Sequence, residues 1–267
     1  MIVCFFDSLN TSLWWRLYHP NWCPVLLNHY NLDGIFVKAE KKLGSRITSK
    51  GGVNPRVLRH ILDDGRFCEE EIAAEYYGGL LAGSRDADSK NDSCLPFLAK
   101  VRGMPTNQLR LHFAFYYEVL RLHQNRGVNL GHWHKSGSAG LLLSLPFIME
   151  LAPHDDPRDS WEQMVSAIVG LNSLNLISSN FSYGEPQDLQ RAHPCAATTG
   201  AYVEPNLMGA ELFLWAIGAT NTNAHRFFEQ DIKSLEKPFE IPAGCLPMSS
   251  LDDLESKAKG RANSANL

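Results

Sequence analysis

At 267 residues, with 44% hydrophobic and 20% charged side chains, the chain is long enough for one large core or two small ones. A formal charge of −4 argues against a generally cationic nucleic-acid binder, although a local basic patch could survive in a weakly acidic total. The six cysteines (Cys4, Cys23, Cys68, Cys94, Cys195 and Cys245) form no C-x-x-C pair, which excludes a zinc ribbon and a disulfide scaffold and leaves reduced, buried thiols.

Residues 1–34 are aromatic-rich, with Trp14, Trp15, Tyr18, Trp22 and Tyr30, and read as a short helix followed by turns at Pro20 and Pro24. These rings either pack onto a partner or cover the edge of the first domain. Ile2 to Phe6 is the only apolar run before Asp7, with no basic stretch ahead of it, so no signal peptide is expected. The apolar runs Leu141 to Ala152 and Leu207 to Gly218 fall short of the ~20 residues of a spanning helix, and a cytoplasmic protein without membrane spans is expected.

A helical domain is expected over 35–124. Ile35 to Leu43 reads as helix, and Gly44 to Gly52 as a connector. Asn54-Pro55 opens a short amphipathic helix that Gly65 closes. Glu69, Glu70 and Glu71 then complement the positive end of the next helix, EIAAEYYGGLLAG, better than they suit a metal. Inside that helix Gly78 and Gly79 each cost roughly 1 kcal/mol relative to alanine, so tertiary packing must want a surface without side chains. Ala74, Gly78 and Ala82 recur at four-residue intervals, as do Glu75, Gly79 and Gly83, and a neighbouring helix is expected to approach closely there. Ser84 to Ser93 is a polar loop lacking the glycine and glutamate of a calcium loop. Asp92 or Ser93 is expected to cap a helix ending at Gly103, and Thr106 a long one carrying Leu109, Phe113, Tyr116, Tyr117 and Leu120.

A linker over 125–137 holds His132 and His134, which would face one side of an extended segment and are the weak candidates for a metal. No phosphate loop and no nucleophile elbow can be drawn through Lys135 to Ser138. Ala139 to Leu151 reads as one helix bent or shortened at Pro146. Asp155 and Asp156 lie in an exposed turn, and Asp159 or Ser160 caps a helix from Trp161 to about Asn175. A strand, a wing over Gly184 to Pro194, a second extended piece at Ala201 to Glu204 and a helix over Leu207 to Ile217 follow. Helix, strand, wing, strand, helix is the order of a winged helix, placed at 138–237. Its helix offers duplex DNA no lysine or arginine after Trp161. Its wing has only Arg191 and His193 as potential cations, against Glu185 and Asp188, so nucleic acid is not the expected partner. Asn221 to Glu236 reads as helix, and 238–267 as a strap and tail with a small basic cluster at Lys257, Lys259 and Arg261.

VNPRVLRHILDDGRFCEEEIAAEYYGGLLAGSRD, LPFLAKVRGMPTNQLRLHFAFYY, LNSLNLIS and YVEPNLMGAELFLWAIG together resemble the abortive-infection alpha (Abi-alpha) family of bacterial proteins, over roughly 35–220. The resemblance implies a mostly helical protein linked with phage defence and carries no active site over. The N-terminal region is shorter than that of such proteins, which leaves open a truncated or alternative start.

The expectation is thus a mostly α protein: a bundle-like domain, then a winged-helix-like module with a small β-hairpin. It has no catalytic set and no cofactor, with Ala74, Gly78, Gly79, Ala82, Trp14 and Trp15 as packing or interaction residues. Its function is expected to be non-enzymatic defence through an unknown phage or host protein, with homo-oligomerisation open. The alternative is a winged-helix transcriptional regulator.

Overall fold

The computed structural model describes residues 23–130, 139–190 and 196–247, with side chains from residue 31 onward. Helices dominate, and a four-stranded antiparallel sheet of order β2-β3-β1-β4 joins them.

Helix α1 (Cys23–Leu43) begins well before Ile35, because Pro24 falls in its first turn, where a missing N–H costs nothing. A 3-10 turn (Gly44–Thr48) leads to α2 (Pro55–Gly65), where the Asn54 side chain accepts from the Arg56 N–H at 2.9 Å. Helix α3 (Glu71–Gly83) keeps every residue from Ile72 to Ala82 buried, so it is the axis of the fold.

Helices α4 (Leu95–Arg102) and α5 (Thr106–His123) follow, but neither starts with the expected side-chain cap. Asp92 offers Leu95 its carbonyl at 3.0 Å while its carboxylate pairs with Arg56 at 3.1 Å, and Thr106 is already inside a helix that Pro105 precedes. The rings of α5 face inward with one exception: Tyr117 is only partly buried.

The segment expected as one helix at 139–151 is instead strand β1 (Leu141–Ser144) followed by α6 (Leu145–Leu151). Pro146 sits in the first turn of α6 and does not bend it, and Ser144 caps the helix by accepting from the Phe147 N–H at 3.5 Å. Helix α7 (Pro157–Ser173) also starts earlier than Trp161. The Asp156 carboxylate accepts from the Arg158 N–H at 2.8 Å, and Pro157 takes the first helical position.

The chain past α7 turns at Asn175, whose φ is 55°, and reaches β2 (Phe181–Gly184) later than the expected strand entry at Leu174 to Ile177. A single helical turn, α8 (Pro186–Leu189), lies within the expected wing, before β3 (Gly200–Val203) and α9 (Leu207–Ala216). Residues 221–236 are not one helix. Asn223 and Asp231 cap two short 3-10 turns, Ala224–Glu229 and Ile232–Ser234, and Gln230 between them is extended. The strap then contributes strand β4 (Cys245–Pro247), paired with β1.

Alternation along the strands splits the sheet's two faces. Leu141, Leu143, Ala201 and Val203 join the main core, while Leu142 and Tyr202 meet Leu189 of α8 on the other side. The main core runs from Ile35 through Phe113 and Phe213 to Cys245. The segments 35–124 and 138–237 therefore do not own separate cores, and α9 packs directly on α3.

Candidate functional site: an acidic groove at the start of the central helix

Ala74, Gly78, Gly79 and Ala82 are all buried, so this seam serves the chain's own packing. It has two neighbours where one helix was expected. A methyl group on Gly78 would lie 2.7 Å from Cβ of Lys38 on α1, and one on Gly79 would overlap the backbone carbonyls of Trp215 and Ala216 at the end of α9. Gly83 faces the Trp215 ring. Beside the seam, the fully buried Glu75 carboxylate pairs with Lys42 through Oε1. Its Oε2 lies 3.3 Å from Nζ of Lys38, an ion-pair distance without good hydrogen-bond geometry. Lys38 also bonds Glu71 at 2.9 Å. Burial pulls the Lys38 pKa down, but its bond to Glu71 and the adjacent Glu75 charge outweigh this and hold it above the ordinary 10.5.

A second buried polar group joins α3, α5 and α9. The Tyr76 hydroxyl has Nδ1 of His112 at 2.6 Å and the Leu109 carbonyl at only 3.5 Å, so its proton goes to His112, which accepts as the neutral ring. Burial lowers the His112 pKa to about 3, with the Gly209 backbone opposing. Tyr116 donates to the Leu176 carbonyl at 2.8 Å and accepts from the Asn206 N–H at 3.0 Å. These groups are enclosed, and no substrate could reach them.

The open feature lies where α2 ends and α3 begins. Gly65 ends α2, the turn 66–70 lifts Phe67 outward at 73% exposure, and the end of α4 and the start of α5 form the opposite wall. Between them runs a groove of about 670 Å³, floored by Ala73, Tyr77, Val101, Met104 and Leu109. Asp63, Asp64, Glu69 and Glu70 rim it, and Arg102, 3.4 Å from Asp64, is the one cation in its lining among the described residues. Asp63 is also held by Arg66 at 3.3 Å and Arg59 at 3.5 Å. A smaller recess of about 420 Å³ adjoins it, with Arg56, Arg59 and His60 on its wall.

Neither the thiol nor the phenol in the groove's lining is poised to ionise at neutral pH. Burial and the neighbouring Asp64 charge push the Cys68 thiol up to about 11, and burial pushes the Tyr77 phenol further from ionisation. What the groove offers is an exposed aromatic ring on an apolar floor, with excess negative charge around it.

Of the residues expected to act, Trp14, Trp15, His132, His134, Arg191 and His193 lie outside the described residues, as does the basic cluster at 257–261. Among the described residues no three His, Cys, Asp or Glu side chains are placed to share a metal, and no helix is long and apolar enough to cross a membrane. Of the three glutamates expected in the first turn of α3 only Glu71 lies there, because the helix starts at that residue with Glu70 as its N-cap and Glu69 ahead of it, and Asp156 is spent as a helix cap. Phe67 went unremarked in the sequence, though an aromatic residue in RFCEE, between a helix-ending glycine and charged neighbours, was the available signal. Comparison with known protein families, curated proteins and solved structures finds no match.

Proposed function

We propose that the chain is a non-enzymatic protein that acts by binding another protein, in bacterial phage defence as its resemblance to the Abi-alpha family implies. The observation that supports binding is the groove at Phe67. A ring exposed at 73% above an apolar floor is a poor arrangement for water and a good anchor for a partner. The carboxylate rim selects a partner segment carrying Lys or Arg beside its apolar residues. The partner is a phage or host protein.

Induction in a bacterial host, with and without phage, tests this by growth and plating. Restricted plating that Phe67→Glu abolishes is the expected result. Unchanged plating with the native chain defeats the defence reading.

The order α7, β2, β3, α9 favours one alternative, a winged-helix transcriptional regulator. Its duplex-facing helix would be α7, which carries Arg158 in its first turn against Asp159 and Glu162. A mobility shift on DNA that weakens steeply with salt would favour that alternative.

A further inference from the structure

We propose that a second copy of this chain occupies the groove in the free protein, through a two-fold pairing in which the basic half of α2 in each copy lies over the acidic groove of the other. The inference rests on the groove being a docking site and names its occupant, though it does not depend on phage defence.

The outer side of α2 carries its charges in order. Arg56, Arg59, His60 and Asp63 are all exposed, and positions 56, 60 and 63 share one face at helical spacing. Its first two turns hold two arginines and a histidine, its last turn holds Asp63 and Asp64, and Glu69 and Glu70 follow just beyond. Phe67 projects at the negative end and is the most exposed large hydrophobic among the described residues. The two concavities keep the same order. Arg56, Arg59 and His60 wall the recess of about 420 Å³, and the acidic groove adjoins it through Asp63, Asp64 and Arg102, which line both.

Such a surface fits itself turned round. A two-fold axis across the middle of α2 lays two copies of the helix antiparallel, so that each positive half meets the other's negative half. An axis level with Ile61 and Leu62 sets Arg59 against Asp64 of the second copy, His60 against Asp63, and Arg56 over the Phe67 ring, where a guanidinium is attracted to the aromatic face. An acidic groove alone would take any basic peptide, but a groove beside a basic recess and a projecting ring fits a partner with the reverse order, which α2 itself supplies. The ion pairs given up are weak ones. Arg59 with Asp63 and Arg56 with Asp92 are at least 48% exposed on every side chain, and pairs so exposed add little to stability. Because ring and recess adjoin on one face, the pairing closes at two, whereas an anchor and seat on different faces would build filaments.

Sedimentation velocity of the full chain tests this, and should show a monomer–dimer equilibrium that weakens as salt rises. Phe67→Ser removes one anchor from each copy and should raise the dissociation constant about a hundredfold. Arg56→Glu with Arg59→Glu, and separately Glu69→Lys with Glu70→Lys, should each give monomers. An equimolar mixture of the two should recover dimers, because every reversed contact then meets its opposite, and that recovery also shows both variants to be folded. A chain that stays monomeric at every concentration, including one that takes up a basic aromatic peptide instead, would overturn the proposal. So would dimers indifferent to these substitutions, assemblies larger than two, or reversed variants that do not pair when mixed. Plating stands apart from this readout: a dimer with indifferent plating keeps the inference and removes the defence reading, and a monomer that restricts plating does the opposite.

Discussion

The Tyr76 hydroxyl lies 2.6 Å from Nδ1 of His112, and both side chains are fully buried. Because the ring can accept that proton only while neutral, the bond itself opposes protonation. At neutral pH the folded chain carries no charge at His112 and the unfolded chain only about a quarter of one. Below the ordinary value of 6.5 the unfolded chain takes up a proton that the folded chain refuses until about pH 3. Stability should therefore fall on acidification by up to about 1.4 kcal/mol per pH unit for this group. His123, lowered to about 4 by burial and by Arg126, adds in the same direction. Urea midpoints at pH 7 and 4.5 check this, and His112→Gln should flatten the slope by about one proton. An unchanged slope in that variant refutes the assignment.

The Glu75 pair sets a second expectation. Removing the carboxylate strands Lys42, whose side chain is only 9% exposed, and leaves Lys38 with Glu71 alone, and Glu75→Ala should cost about 3–5 kcal/mol. Glu75→Leu combined with Lys42→Met should restore most of the loss, since an apolar pair of similar volume avoids desolvating charge. Denaturant titration of the single and double variants decides between this and a merely steric role. Lys38 adds a pH limb of its own: its raised pKa contributes stability that is complete below 10.5 and lost as pH climbs through the higher folded value.

Gly79→Ala should be worse than Gly78→Ala, although each gains about 1 kcal/mol of helix propensity. The new methyl at Gly79 overlaps the carbonyls of Trp215 and Ala216, which move only if α9 moves, whereas at Gly78 it meets Cβ of Lys38 at 2.7 Å and the Ile35 carbonyl at 3.0 Å, a milder overlap that a smaller shift of α1 relieves. Net losses of about 3 and 1 kcal/mol are expected from thermal unfolding of the two variants. Equal losses would mean that α9 yields freely.

Asn206 ties the start of α9 to the turn that follows α7. Its side-chain Oδ1 accepts from the Gly209 N–H at 2.8 Å, and its side-chain Nδ2 donates to the Ile177 carbonyl at 2.8 Å and the Asn175 carbonyl at 3.1 Å. Asn206→Ala should cost about 2 kcal/mol or more, because cap and tie are lost together. Asn206→Asp keeps the cap alone and should recover about half. Chemical denaturation of both variants separates the roles.

Local signals made much of the helical half readable. Asn54-Pro55 and Gly65 mark the two ends of α2, and the double glycine of α3 announces close packing without revealing that two helices, one at each glycine, make it. Leu141 to Leu143 misled because a short continuous apolar run suits a buried strand as well as a helix, and its partners Ala201 to Val203 and Cys245 to Pro247 are remote in sequence. The spacing of Phe227, Ile232 and Leu235 suits a helix, but the capping side chains of Asn223 and Asp231 start two short turns instead. The groove was hidden for a different reason: its walls come from positions 63 to 109, and no periodicity links a turn aromatic to the floor beneath it.

Strand β1 waits a long time for one of its neighbours. Leu141 to Leu143 pair with residues made roughly a hundred positions later, which at 5–20 residues per second means about 5–20 s of synthesis with one edge of an apolar strand bare. A newborn chain is accordingly sticky over that interval, and its yield in cells should depend on chaperone supply and growth temperature more than the finished fold would suggest.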